Sequence, residues 1–225
     1  MTNPIAPGTT ILFTGDSVTD AGRREDPREP LGFGYVRAIA ASPRAAGVTI
    51  RNTGSSGDRL VDLERRWGVD VLEHHADVVS ILIGINDTWR RYDSGEQTST
   101  AQFEAGYHRI LDTLSMTGSL LVLIEPILLP VSAAQEAWHD DLDPKIDVVR
   151  RLATQYDAIL VPAAVELPRQ AAAGAPALAD DGVHLNDAGS AALAELWLDT
   201  VTRDRRSPRS ARDKGPARTD ETRNR

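Results

Sequence analysis

Five short runs rich in apolar and β-branched residues punctuate the chain, at 10–14, 48–52, 78–83, 120–124 and 159–162. Such runs, nearly continuous rather than alternating, mark strands covered on both faces, as in a parallel sheet. Between them, apolar positions recur at helical spacing over 35–41, 60–72, 103–114 and 146–156. A last helix is predicted over 188–200, with Asn186 or Asp187 as its N-cap. Five strands alternating with helices predict an α/β fold, a three-layer α/β/α sandwich around a five-stranded parallel sheet. In such sheets the reacting groups gather beyond the carboxyl ends of the strands. Ser17, Gly57 and Asn86 each fall just past a predicted strand end.

These three positions carry candidate chemistry. Gly15-Asp16-Ser17 follows the first strand: Gly15 allows a sharp turn, and Asp16 can accept backbone N–H bonds within it. Ser17 is then a candidate nucleophile, although a hydroxyl needs an imidazole to take its proton and a carboxylate to orient that imidazole. His184 meets the first need and Asp181 the second, since a carboxylate three residues ahead lies within reach of Nδ1–H and leaves Nε2 facing the serine. Asp180 is a rival acid and Asp187 a more distant one. The other histidines (His74, His75, His108 and His139) are accounted for as surface or capping residues. In the glycine-rich bend 52–58, Gly57 can bring its backbone N–H against a developing oxyanion. The amide of Asn86, in Gly84-Ile85-Asn86-Asp87, can donate to the same oxygen. No Gly-Lys-Ser/Thr follows the bend, which argues against a phosphate cradle.

Composition narrows the setting. The 225 residues suit one ordinary domain, assigned to 1–202. The net charge is −8, but 203–225 holds nine Arg/Lys against four Asp/Glu, a net of +5 that leaves −13 on the rest. The acidic body argues against nucleic acid and anionic membrane as principal partners, and the basic 203–225 tail is expected to be disordered. Absence of cysteine excludes disulfides and thiolate metal clusters, and no run approaches the ~18 apolar residues of a membrane helix. Met1-Thr2-Asn3-Pro4-Ile5 lacks the basic-then-apolar pattern of a secretion signal, so a cytoplasmic protein is expected.

Four segments, carrying in order Ser17, Gly57, Asn86 and Asp181/His184, together resemble the SGNH (GDSL-type) hydrolases over residues 10–190. The strings 15–22 (GDSVTDAG) and 84–90 (GINDTWR) are most similar to the bacterial acetylxylan esterase-like branch, whose members remove O-acetyl groups from sugars. The resemblance implies a flavodoxin-like sandwich, no cofactor and no metal. It also implies an oxyanion hole formed by the Ser17 and Gly57 N–H groups with the Asn86 amide. Two departures stand out: Leu185 follows His184 where the family often has proline, and Asp180 stands where some acetylxylan esterases carry tryptophan.

The expected partner is a small-molecule or oligosaccharide acyl ester, and a homo-oligomer is compatible with the sequence. Asp16, Trp89 and Arg90 are expected to touch substrate. Trp89 suits a pyranose face, with an anchor for its own loop or a subunit contact as the alternative. Trp138 would approach from the other side, while Trp67 and Trp197 belong to the core. No long apolar lid is visible, which argues against long-chain lipids. A lipase- or thioesterase-type member would share every catalytic residue. A phosphatase acting through Asp16 would need aspartate at Val18 to complete D-x-D-x-T. A sugar-binding relative with a dead site is disfavoured because every expected catalytic position is filled.

Overall fold

A computed structural model describes residues 4–174 and 177–204. In chain order the elements are β1 (Thr10–Gly15), α1 (Ser17–Asp20), α2 (Tyr35–Ala41), β2 (Thr49–Asn52), α3 (Leu60–Asp70), β3 (Val78–Leu82), α4 (Ile85–Asp93) and α5 (Thr100–Ser115). They continue with β4 (Leu120–Ile124), α6 (Ala133–Glu136), α7 (His139–Gln155), β5 (Ile159–Val161), α8 (Ala163–Ala172) and α9 (Asp187–Arg203). The strands pair in the order β2-β1-β3-β4-β5, all parallel. Because the chain first builds outward to β2 and then crosses to β3, the switch point lies at β1. A crevice opens there beyond the carboxyl ends of the strands.

β1, β3 and β4 are buried along nearly their whole length because both faces are covered, whereas β2, at the sheet edge, departs from that expectation with Thr49 and Arg51 exposed. Ile11 and Phe13 face one core layer with α2, α8 and α9, whereas Leu12 faces another with α3, α5 and α7. Trp197 and Trp67 are buried in these layers, and each indole N–H finds a hydroxyl: Ser80 for Trp197 and Thr113 for Trp67, both at 3.0 Å. A third, smaller cluster joins Ile85 of α4, Trp138, Leu142 and Ile146 of α7, and Val183. It ties the far end of the chain to the helix that carries Asn86.

Several boundaries differ from the sequence reading. The helix expected at 146–156 begins at His139, drawn out by Asp140 and Asp141 in its first turn, where acidic side chains favour the helix dipole. Neither α4 nor α8 is among the predicted helices, and Pro168 interrupts the pattern of α8. The N-cap of α9 is Asn186, whose side chain accepts the Gly189 N–H. That helix runs to Arg203, three residues past its expected end at 200. The remainder of the basic tail, 205–225, lies outside the described residues.

Candidate active site

The turn after β1 allows no side chain at its first residue. Gly15 has φ +149°, and a Cβ there would stand 1.9 Å from the Leu82 carbonyl oxygen of the neighbouring strand. Asp16 follows as N-cap of α1, its Oδ1 accepting the Val18 N–H at 3.0 Å. Ser17 is thereby the first residue of a one-turn helix, where the backbone N–H has no intrahelical acceptor. Ser17 Oγ lies 2.9 Å from His184 Nε2, a bond between residues 167 apart in sequence.

The other side of the imidazole is held by Asp181, whose Oδ2 is 2.6 Å from Nδ1. Its Oδ1 accepts the backbone N–H groups of Val183 and His184 at 2.9 and 2.7 Å. Partial burial raises the Asp181 carboxyl, but the His184 ring and these two N–H groups outweigh it and hold the group below its ordinary value. The rival Asp180 instead accepts from Asn186 at the N-cap of α9. Asp181 is therefore the carboxylate aligned with His184. Gln135, which the sequence reading passed over, supports this turn: its Nε2 donates to the Asp181 carbonyl at 2.7 Å and its Oε1 accepts from Val131 N–H at 2.9 Å.

Asn86 lies in the first turn of α4 and is 2% exposed. Its Nδ2 donates to the Asp58 carbonyl at 3.0 Å, which leaves its second amide hydrogen available. Gly57 has φ +85° with open space around the missing side chain, so backbone conformation rather than crowding requires glycine there. The loop carrying Gly57 is tied to the nucleophile turn by groups that sequence spacing does not reveal. Asp20 Oδ2 accepts both the N–H and the hydroxyl of Ser56, at 2.9 and 2.8 Å. Asn52 donates to the carbonyls of Thr19 and Leu31 and accepts the Gly54 N–H. Arg66 donates to the carbonyls of Gly15 and Thr53 and to Asp58.

Ser17, Gly57, Asn86 and His184 share one open cleft of about 340 Å³ with Ser56, Glu25, Trp89 and Arg90. Trp89 packs against His184 with ring centroids 5.8 Å apart, and behind it against Trp138 at 5.6 Å. Trp89 thus lines the cleft and also anchors its own helix. Trp138 itself is 8% exposed and stacks on Tyr92, so it reaches the site only through Trp89. Asp16 also departs from expectation: at 1% exposure its side chain is folded beneath the turn and does not line the cleft. Val18, the position at which a D-x-D-x-T phosphatase would need aspartate, is packed in the core.

The remaining histidines have local roles. His108 bonds Tyr156, His139 pairs with Asp143, and His74 and His75 close a short 3-10 turn. Among the described residues no group of three or more His, Cys, Asp or Glu is placed to hold a metal ion, and no helix is long and apolar enough to cross a membrane.

This geometry has named relatives. An acetylxylan esterase of Geobacillus stearothermophilus is 32% identical over 207 residues, 86% of this chain and 94% of the relative. The crystal structure of Axe2, an acetylxylan esterase from the same organism, superposes with a TM-score of 0.77 at 29% identity, covering 88% of this chain and 96% of that one. Catalytic mutants of Axe2 have been solved with alanine at a serine and at a histidine. A GDSL-like lipase from Parabacteroides merdae superposes with a TM-score of 0.75 at 31% identity, over 87% and 96% of the two chains. The pattern of the GDSL-like Lipase/Acylhydrolase family matches residues 13–192, from inside β1 to inside α9. The chain therefore belongs to that family and is an SGNH-type carboxylic ester hydrolase.

Proposed function

We propose that the chain is a serine esterase that removes short acyl groups, acetyl foremost, from hydroxyls of carbohydrates by a two-step acyl-enzyme mechanism. The observation that carries this reading is the unbroken relay Asp181–His184–Ser17, with links of 2.6 and 2.9 Å, opening directly onto the cleft. Ser17 Oγ attacks the ester carbonyl carbon while its proton passes to His184 Nε2, and Asp181 stabilises the imidazolium. The carbonyl oxygen, now an oxyanion, is received by the Ser17 and Gly57 N–H groups and the free amide hydrogen of Asn86. As the tetrahedral adduct collapses, the leaving alkoxide takes the proton from Nε2 and departs as the alcohol. Water, deprotonated by His184, then attacks the acyl-enzyme and releases the carboxylic acid and Ser17.

Substrate preference follows from the walls. Trp89 presents an aromatic surface of the kind that packs against the C–H face of a pyranose, and Glu25 and Arg90 supply an acceptor and a donor for sugar hydroxyls. Resemblance to acetylxylan esterases points the same way. The test is acetate release from acetylated xylo-oligosaccharides, run beside p-nitrophenyl acetate and p-nitrophenyl octanoate with Ser17→Ala as control. Release from the sugars that vanishes in the control supports the reading. Activity confined to nitrophenyl esters, or a preference for octanoate, transfers the protein to the lipase- or thioesterase-type members of its family.

A further inference from the structure

We propose that Asp16 and Asp87 are a positioning pair: two buried carboxyl groups that together hold a single negative charge and so lock the nucleophile turn to the oxyanion turn. Neither touches the reacting atoms. Asp16 directly precedes Ser17 and Asp87 directly follows Asn86. Each is 1% exposed, and each spends one oxygen on a backbone N–H. Asp16 Oδ1 accepts from Val18, and Asp87 Oδ2 accepts at 2.9 Å from Leu60, the first residue of α3 and three positions after Gly57. The pair therefore fixes the turns that carry Ser17, Gly57 and Asn86.

The remaining oxygens carry the argument. Asp16 Oδ2 and Asp87 Oδ1 are buried without a well-formed partner, although the Thr98 hydroxyl lies near enough to Asp87 to favour its charged form. The hydroxyl of Tyr107, on α5, is fully buried, unpartnered and within electrostatic reach of both carboxyls. A buried carboxylate oxygen left without a donor is costly to charge, and a proton retained by one carboxyl removes that charge. Two full charges in this interior would also repel each other strongly.

The surrounding charges decide which member keeps the proton. Lys145 of α7 and Arg59 at the start of α3 favour the ionised form of Asp87. Asp16 faces no cation of comparable effect; Asp87 and Asp58 disfavour its charge, with the Asp58 carboxylate itself engaged by Arg66. Tyr35 of α2 lies near Asp16 but shares its hydroxyl with Thr19. Burial pushes Asp16 up to about 7 and Asp87 to about 6, with mutual repulsion adding to Asp16. Asp16 is thus the protonated member near neutrality. Above that range a second charge is forced into the interior and the two turns lose their register.

The test measures kcat and KM for p-nitrophenyl acetate from about pH 5 to about pH 9, together with infrared difference spectra of wild type against each variant. Wild type should lose kcat on the alkaline side with little change in KM. Asp16→Asn keeps an acceptor for the Val18 N–H and presents a permanent donor. It should lower kcat by a roughly three- to tenfold factor that does not vary with pH, and abolish the alkaline fall. A protonated-carboxyl band present in wild type near pH 7, above the range in which burial keeps Asp87 protonated, should be missing in this variant. Asp87→Asn leaves only one carboxyl to ionise and carries the same kinetic expectation, which keeps the test open if Asp16→Asn fails to fold. An alkaline fall retained in both variants, or the absence of a protonated carboxyl in wild type, overturns the proposal. The inference rests on ester hydrolysis but not on a sugar substrate. A wild type inactive on the nitrophenyl ester would refute the esterase reading, while the infrared band would still decide the pair.

Discussion

The two halves of the proposed catalytic relay are built in opposite ways. Ser17 and Asn86 sit at the ends of interior strands, in turns secured by buried polar groups: Asp16 at 1%, Asn86 at 2% and Asp20 at 2% exposure. His184 and Asp181 lie on a turn outside the sheet, with nearly half of each side chain open to solvent. That turn is held by local bonds of Asp181 to its own backbone, by Gln135, by the Leu129 N–H on the Gly182 carbonyl and by the buried Val183 side chain. The nucleophile half is thus inseparable from the fold, whereas the acid–base half is an attachment whose chemistry can be removed with little structural cost. Substitutions that separate activity from stability probe this difference directly.

The largest effect is expected from Asp181→Asn, which removes the charge that sets the imidazole tautomer. kcat should fall by about 10⁴, with a melting temperature within a few degrees of wild type. Asp180→Asn should leave kcat within about twofold, because that side chain faces Asn186 rather than His184. Kinetics and thermal melts of the two variants would exchange their roles if the results were reversed. Next comes Asn86→Ala, expected to cost ~10²–10³ in kcat. Because it also strips the Asp58 carbonyl of a buried donor, it should destabilise by about 1–3 kcal/mol in denaturant titrations. An Asn86→Ala protein of wild-type stability would break the contrast between the halves.

Smaller effects sharpen it. Asp20→Ala leaves both the N–H and the hydroxyl of Ser56 without their acceptor, and should cost about 1–3 kcal/mol while loosening the Gly57 loop. A drop in stability without a parallel loss of kcat would show that loop order and oxyanion binding are uncoupled. Gln135→Ala should lower kcat by about tenfold with almost no change in denaturation midpoint, since it releases only the exposed Asp181 turn. A midpoint shift as large as that of Asp20→Ala would mean that the outer turn is as integral to the fold as the inner one.

The same division separates what the sequence reveals from what it hides. The sheet was legible because strands covered on both faces must be apolar along their whole length, as in 78–83 and 120–124. The convergence of these residues on one cleft was legible because Ser17, Gly57 and Asn86 stand directly after such runs, and Asp181 stands three residues from His184. The helix starting at Ile85 was missed because its buried first turn includes Asn86, Asp87 and Thr88, so burial there does not track hydrophobicity. Asp16 was misplaced for a related reason: a carboxylate beside a nucleophile suggests solvent and substrate, whereas here it caps a helix from within. The supports Arg66, Asp20 and Gln135 act on partners 13 to 51 residues away through backbone groups. Such pairings leave no periodicity, because every residue presents the same amide to its neighbours.

The 167-residue separation of Ser17 from His184 also imposes a chronology. At a ribosomal pace of about 5–20 residues per second, roughly 8 to 33 seconds pass between synthesis of the nucleophile and of its base. All five strands precede residue 162, so the sheet can assemble while the hydroxyl is still chemically inert. On the proposed mechanism, hydrolysis becomes available only when the segment bearing His184 docks, and the first appearance of turnover in a translation reaction would time that final step of maturation.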